Sequence, residues 1–170
     1  METNKQIISI MNKEGFYHAI LAYLECGENK TLYEIRRKNI CYFALYCAKQ
    51  VKHLVWDKRS LKTLTVIHAY LSGKATSRDV KKAADDAPAT YYGYRSAAAD
   101  AAYYAAYTAT EISGAGTAYA AYAATYYAAY THTLFQSDAA KERQKKMFVD
   151  MIFGKADWKI DCNKNILEEV

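Results

Sequence analysis

Apolar residues recur at steps of three and four residues along most of the chain, which is the period of an amphipathic α-helix. The clearest stretch lies between residues 31 and 56, where the recurring positions are Ile35, Cys41, Ala44, Leu45, Ala48, Val51 and Val55. The pattern predicts helices over residues 5–26 (one or two helices, with Gly15 as the break), 31–56, 60–71, 77–87, 90–111, 117–135 and 138–153.

Local signals mark several boundaries of these helices. Thr31 and Glu34 match a capping box, in which two side chains satisfy free backbone N–H groups at a helix start. Gly73 follows a predicted helix and suits the left-handed conformation that ends one. The 170 residues include one proline and seven glycines, too few for a loop-rich or all-β protein. We therefore expect an all-α fold: a single-domain helical bundle of six or seven helices over residues 1–170, with a C-terminal tail at 154–170.

The segment from residue 91 to 130 is built mainly from two residue types. It contains 16 alanines, 11 of the chain's 17 tyrosines and only three formal charges. On helices of 100° per residue, the two types separate onto opposite faces. The tyrosine stripes are Tyr92, Tyr103 and Tyr107 in the first helix and Tyr119, Tyr122, Tyr126 and Tyr130 in the second. The opposite faces carry Ala98, Ala102, Ala105 and Ala109, and Ala121, Ala124 and Ala128.

These faces predict a helical hairpin over residues 90–135 at the centre of the bundle. Alanine favours helix formation, and a small-residue face lets two helix backbones approach closely. Tyrosine on the other face is expected to fill the core, because a helix that is apolar on both faces is normally covered on both. Tyr104 and Tyr127 lie off the stripes, so we expect them to be exposed. The predicted partner-binding residues are the groups on the more polar sides of the two helices: Arg95, Asp100, Tyr104, Glu111 and Tyr127.

Two other interpretations of the hairpin sequence compete with a packed core. Residues 112–131 carry no formal charge over about the length of a membrane span. However, alanine and tyrosine are poor lipid-facing residues, so no membrane insertion is expected. The second interpretation is a stacking surface for nucleotides or nucleic acid, because stacked aromatic rings with nearby cations bind bases. The net charge of +5 fits this alternative without establishing it.

The sequence contains no recognisable catalytic or metal-binding pattern. There is no nucleophile elbow, P-loop, dinucleotide fingerprint or HExxH motif. The four cysteines form no CxxC pair, and no histidine lies at ligand spacing to them. The N-terminus lacks the apolar region of a signal peptide. We therefore expect a reduced cytoplasmic protein that is not an enzyme and has no catalytic residues, metal or cofactor.

Residues 44–135 resemble a family of small all-helical immunity proteins of bacterial toxin systems, which also occurs in phage genomes. The likeness rests on Ala44, on Cys47-Ala48, on the turn Trp56-Asp57-Lys58-Arg59, on the helix end Ala69–Gly73 and on the alanine-rich helices that follow. The family usually has Arg-Pro where this chain has Arg59-Ser60, and Arg, His and Gly where this hairpin has Tyr. The resemblance implies an all-helical fold, an inhibitory role and a turn fixed by Asp57 and Arg59.

Two hypotheses about function follow. The first is a non-enzymatic protein that inhibits another protein, either a toxin or, for a phage gene, a bacterial defence effector. The second is a module that binds or sequesters a nucleotide or nucleic acid through tyrosine together with lysine and arginine. The absence of a catalytic pattern and the family resemblance favour the first. The excess of aromatic residues and the positive charge favour the second.

Overall fold

The computed structural model describes residues 2–26, 29–55, 57–87, 94–111, 113–131 and 134–155, with only the backbone described at 94–96 and 134–137. These residues contain helices and no strand, which confirms the predicted all-α class for them. The helices are α1 (Glu2–Glu14), α2 (Phe16–Glu25), α3 (Lys30–Gln50), α4 (Lys58–Leu71), α5 (Ser77–Asp86), α6 (Tyr94–Thr110), α7 (Gly114–Tyr130) and α8 (Leu134–Ile152), with a 3₁₀ turn at Lys52–Leu54.

The described residues form eight α-helices, whereas the sequence predicted six or seven. The extra helix arises because Gly15 separates α1 from α2 with φ 96°, a conformation that side chains with a Cβ rarely adopt. The start of α3 also differs from the prediction. Asn29 caps this helix, its side-chain oxygen accepting from the Thr31 N–H at 2.8 Å, so the predicted capping box of Thr31 and Glu34 is wrong.

Further boundaries differ from the predicted ones. Helix α7 covers Gly114–Tyr130 and not the predicted 117–135, because Ser113 caps it and Thr131 follows its last turn. Helix α3 ends at Gln50 because Val51 leaves the helical region (φ −114°, ψ 10°), and the chain continues into the 3₁₀ turn. Helix α8 begins at Leu134, one turn before the predicted start at residue 138. Helix propensity alone places such ends only approximately.

Other helix ends agree with the sequence signals. Gly73 adopts φ 75° after α4, and the N–H of Lys74 donates to the carbonyl of Ala69 at 2.7 Å, which closes a Schellman turn. Thr76 caps α5. Its hydroxyl accepts from the N–H of Asp79, while the Asp79 carboxylate accepts from the N–H of Thr76 at 2.8 Å.

Part of the core is an aromatic cluster between α2, α3 and α8. The ring of Phe16 lies 5.7 Å from that of Phe43 and 5.0 Å from that of Phe148, in edge-to-face arrangements. Phe43 and Phe148 are fully buried. Large apolar side chains therefore fill this side of the molecule, where the helices supply Ile, Leu and Phe.

Helices α6 and α7 pack mainly through alanine. They form an antiparallel pair, in which α6 also contacts α3, α4 and α5, while α7 also contacts α2, α3 and α8. The predicted alanine faces are buried, which confirms that part of the hairpin prediction: Ala98, Ala102, Ala105, Ala109, Ala121, Ala124 and Ala128.

Arg37 of α3 holds the turn between these two helices. Its Nε donates to the carbonyl of Glu111 and its Nη2 to that of Ala109, both at 2.9 Å. These carbonyls belong to the end of α6 and lack partners within the helix. Nearby, the Cys41 thiol donates to the carbonyl of Thr108 at 3.4 Å, and burial raises the pKa of that thiol to about 12. Helix α3 thus fixes the geometry of the hairpin.

Some predictions lie wholly or partly outside the described residues. These concern Trp56, Tyr92, Cys162 and most of the tail predicted at 154–170. The three cysteines that are described, Cys26, Cys41 and Cys47, are free thiols. Within the described ranges, no helix combines the length and apolar character needed to cross a bilayer.

Candidate functional site

The tyrosine stripe of α7 lies at the surface of the molecule. Tyr119 is 59% exposed, Tyr130 56% and Tyr126 48%. Tyr122 and, on α6, Tyr107 are also exposed. The prediction that the stripes fill the core is therefore wrong for these five residues.

The residue types on the other sides of α7 explain this orientation. Every buried position on the helix is alanine or threonine, and these positions meet α2, α3, α6 and α8. Small side chains let four helices pack around α7, and the tyrosine row is the side left over. An outward row also keeps the phenol hydroxyls in water, whereas a buried hydroxyl would need a partner that alanine cannot supply.

The tyrosine rings form one continuous surface across α6 and α7. We refer to the five exposed tyrosines, together with the half-buried Tyr103, Tyr104 and Tyr127, as the tyrosine surface. Adjacent rings lie within ring-contact distance, at centroid separations of 5.2 Å for Tyr103–Tyr107, 5.4 Å for Tyr103–Tyr104, 5.4 Å for Tyr104–Tyr127, 5.5 Å for Tyr126–Tyr127, 6.0 Å for Tyr126–Tyr130, 6.3 Å for Tyr122–Tyr126 and 6.4 Å for Tyr104–Tyr119. The chain of contacts extends to Tyr17 of α2, 6.3 Å from Tyr122.

Tyr104 and Tyr127 link the two helices within this surface. Their rings stack in parallel, with an interplanar angle of 5°, and both side chains are half-buried against the core. The sequence predicted these two as the more exposed tyrosines, and the structure reverses that order. They lie off the stripes because they point towards the seam between α6 and α7, where each covers the other.

One end of the tyrosine surface is acidic. Asp100 is half-buried on α6, and burial raises the pKa of its carboxyl above the ordinary value. Burial also raises the pKa of the Tyr104 hydroxyl, with smaller contributions from Tyr127, Tyr119 and Asp100. Asp100 thus lies near Tyr104, and Glu111 lies beside Tyr107 and Tyr119.

A cleft opens between α6 and α7 at this acidic end. Its volume is about 380 Å³, and it is lined by Tyr103, Tyr104, Tyr107, Glu111, Gly116, Tyr119 and Ala120. Its polar groups are phenol hydroxyls and one carboxylate. The arrangement offers aromatic faces and one negative charge, and we call it the tyrosine cleft.

The opposite end of the surface is basic. A smaller cleft of about 150 Å³ lies between α7 and α8, lined by Phe16, Tyr122, Thr125, Tyr126, Ala129, Lys141, Gln144 and Lys145. The Gln144 side-chain amide donates to the carbonyl of Thr125 at 3.1 Å and ties the two helices together. Each lysine has an acidic partner on its own helix, Lys141 with Asp138 at 3.4 Å and Lys145 with Glu142 at 2.8 Å. These pairs offset much of the positive charge.

Three residues singled out from the sequence remain: Arg95, Asp57 and Arg59. The side chain of Arg95 lies outside the described residues. Asp57 caps α4 by accepting from the N–H and the hydroxyl of Ser60 at 3.0 and 3.1 Å, and from Arg59 Nε at 3.3 Å. The implied role of Asp57 and Arg59 in fixing that turn is therefore confirmed. Among the described residues, no group of three or more His, Cys, Asp or Glu could hold a metal ion.

The five exposed tyrosines were not predicted to lie at the surface. One signal was present: on α7, every position other than the tyrosines is glycine, alanine or threonine. A helix with small residues on three sides packs closely on those sides, which leaves its bulky row for the surface.

Comparison with protein-family models, curated proteins and solved structures finds no match to this chain.

Proposed function

We propose that this protein is a non-enzymatic inhibitor that binds another protein through the tyrosine surface. The observation that carries the proposal is the continuous surface of eight tyrosines, five of them exposed, on the α6–α7 hairpin. Tyrosine is enriched in protein interfaces and at binding hot spots, because its ring supplies contact area and its hydroxyl a hydrogen bond.

The rigidity of the hairpin also supports this proposal. The backbones beneath the tyrosines are held by buried alanines and by the contacts of Arg37 to the turn. A tyrosine side chain has few rotatable bonds, and its ring contacts restrict it further. A surface held in this way loses little conformational entropy on binding. In this proposal the hairpin is the central element of the bundle, with the alanine faces organising the fold and the tyrosines contacting the partner.

The family resemblance supports the class of target. A bacterial toxin is the expected partner of an immunity protein, and a defence effector is the expected partner of a phage counterpart. Both would be met in the cytoplasm. The proposed contact residues are the exposed tyrosines, with Asp100 and Glu111 at their edge.

Affinity capture from the native host tests this proposal. The bait is the full chain, compared with a variant carrying Tyr119→Ser, Tyr126→Ser and Tyr130→Ser. We expect one host or toxin protein to be retained by the parent and lost by the variant. The purified pair should then form a complex in solution, and co-expression should relieve the activity of that partner.

A matched control removes exposed apolar groups elsewhere. Leu32 and Ile35 on α3 are 44% and 52% exposed and lie outside the tyrosine surface. The double variant Leu32→Ser, Ile35→Ser should retain the partner as the parent does. Equal capture by the tyrosine variant and the parent, or capture without inhibition, would contradict the proposal.

The basic cleft favours a second candidate function, the binding of a nucleotide or nucleic acid. Tyr122 and Tyr126 could stack on bases beside Lys141 and Lys145. The acidic groups at the other end of the surface and the ion pairs of both lysines weaken this alternative. Titration with fluorescent single-stranded oligonucleotides at low salt tests it. Tight, salt-dependent binding that Tyr122→Ala and Tyr126→Ala abolish in a folded protein would replace the inhibitor by this function.

A further inference from the structure

We propose that the tyrosine cleft binds a cationic side chain, a lysine or an arginine, presented by the protein partner. The assignment of the ligand to a protein rests on the proposed function. The cationic chemistry rests on the cleft itself, in which four aromatic rings and one carboxylate line a single recess.

The four rings enclose the recess from different directions. Tyr103 and Tyr104 meet at 82°, Tyr104 and Tyr119 also at 82°, and Tyr103 and Tyr107 at 38°. Rings inclined to one another form walls, whereas parallel rings would form a flat platform. A cation is attracted to an aromatic face within about 6 Å of the centroid, and cages of several aromatic rings recognise alkylammonium groups in this way.

Glu111 supplies the negative charge. A Cβ on Gly116 would collide with Oε2 of Glu111, so the glycine leaves the room that the carboxylate occupies. The backbone of Glu111 is fixed from two sides, since its carbonyl accepts from Arg37 Nε at 2.9 Å and from Thr117 Oγ1 at 3.4 Å. Over the part of the chain that the structure describes, no basic group forms an ion pair with this carboxylate.

The surrounding charges favour a cation and disfavour an anion. None of the residues lining the cleft is lysine or arginine. Asp100 acts electrostatically on Tyr104, and Asp85 of α5 acts in the same way on Tyr103. One carboxylate therefore lines the cleft, and two further carboxyl groups act on its rings from outside it. A phosphate or carboxylate ligand would be repelled, whereas an ammonium or guanidinium group would be attracted by both the rings and the acids.

The cleft has ample room for the end of one side chain. At about 380 Å³, it lies at the lower end of the range of roughly 300–1,000 Å³ that is typical of ligand sites. Its position at the acidic end of the tyrosine surface allows a partner to insert one residue here while the rest of its interface covers the exposed stripe. The cleft would then act as an anchoring pocket of the kind that concentrates binding energy.

Short peptides of known charge serve as probes, because the partner is unidentified. The probes are N-acetyl-Gly-Arg-Gly-amide, N-acetyl-Gly-Lys-Gly-amide, and the citrulline analogue of the first, which has the shape of arginine without its charge. Nuclear magnetic resonance of protein with labelled tyrosine rings reports where each probe binds. We expect saturable shifts of the Tyr103, Tyr104, Tyr107 and Tyr119 signals with the two cationic peptides, and no such shifts with citrulline.

Two variants separate the cage from the rest of the surface. Glu111→Gln keeps the size of the side chain and removes its charge. It should weaken arginine-peptide binding by about two- to fivefold, the range that an exposed ion pair contributes. Tyr119→Leu removes an exposed wall and should weaken binding further. Ile35→Ser changes an exposed side chain on α3 outside the tyrosine surface and should leave binding unchanged, with all three variants keeping the parent's circular dichroism.

The possible outcomes distinguish this proposal from the proposed function. Equal shifts with citrulline, or unchanged binding by Glu111→Gln, would overturn the cation site even if a partner is captured through the other tyrosines. Binding of tetramethylammonium without binding of either cationic peptide would assign the cleft to a free small cation and overturn the partner side chain. Specific binding of the cationic peptides by a protein that captures no partner would support the cation site and contradict the proposed function.

Discussion

The two faces of the α6–α7 hairpin differ in side-chain size and in burial. Ala105 and Ala124 are fully buried, whereas Tyr119 and Tyr130 on the other face are more than half exposed. The tyrosines have a larger apolar area than the alanines, yet they lie at the surface. Burial here follows how closely neighbouring helices can approach, and alanine allows the closest approach of any residue with a Cβ.

The tyrosine face recovers part of the stabilisation that burial would have provided. Its rings contact one another along the whole face, and an aromatic pair contributes about 0.5–1.5 kcal/mol beyond the area it buries. In the proposed function the hairpin has two roles, in which the buried alanine face stabilises the fold and the tyrosine face contacts the partner.

The largest effect is expected from enlarging the alanine face. Ala105→Leu or Ala124→Leu adds volume at a position with no exposed surface, so each should lower the free energy of unfolding by about 1–3 kcal/mol. Urea denaturation followed by circular dichroism measures this change. Ala115 is exposed in the first turn of α7, and Ala115→Leu is the matched control with little expected effect. Equal stability of all three variants would show that the alanine face is not closely packed.

The seam between the helices should give an intermediate effect. Tyr104 is half-buried and stacked on Tyr127, so Tyr104→Ala removes both partial burial and a ring pair. We expect a loss of about 1–2 kcal/mol in the free energy of unfolding. Tyr104→Phe is the control, because it keeps the ring and should retain most of that stability. A Tyr104→Ala variant with the parent's denaturation midpoint would place this ring among the freely exposed ones.

The contrast between these variants also shows what the sequence could predict. Helical period correctly grouped the tyrosines of α7 on one side and Ala121, Ala124 and Ala128 on the other. Period alone does not say which side faces inward when both are apolar, because the usual contrast between apolar and polar faces is missing. The orientation depended on the small residues at every other position of α7, which allow neighbouring helices to pack there.

Local chemistry was predicted where it depends on neighbouring residues. Gly73 ends its helix as expected, since this geometry needs only a few adjacent groups. The candidate site depended on contacts across the hairpin. Asp100 and Glu111 were placed among the contact residues from their charge, but the stacking of Tyr104 on Tyr127 joins positions 23 residues apart in the sequence and gives no local signal.

Removing exposed tyrosines should have small effects on stability. Tyr119→Ser and Tyr130→Ser alter side chains that are mostly in solvent and remove one ring pair each, so each should lower the free energy of unfolding by about 0.5–1 kcal/mol. Their effect on partner binding should be larger, about 2 kcal/mol or more if either lies at a hot spot. Denaturation and titration calorimetry on the same samples compare the two effects. A large loss of stability together with unchanged binding would assign the tyrosine face to the fold.

The smallest effect concerns Asp100, which lies on α6 between the buried Ala99 and Ala101 and marks the border between the two faces. Burial raises the pKa of its carboxyl in the folded protein, so the native state holds this proton to a higher pH than the unfolded chain does. Stability from this group is therefore full below its unfolded pKa of about 3.9. It is lost as the pH rises through the higher folded pKa, because the native state then binds more protons than the unfolded state.

Asp100→Asn cannot ionise and has a similar helix propensity, so its melting temperature should match the parent's near pH 3 and exceed it modestly at pH 7. Thermal unfolding between pH 3 and pH 7 measures the difference, and an asparagine variant less stable than the parent at pH 7 would mean that the carboxylate has a favourable partner in the folded protein.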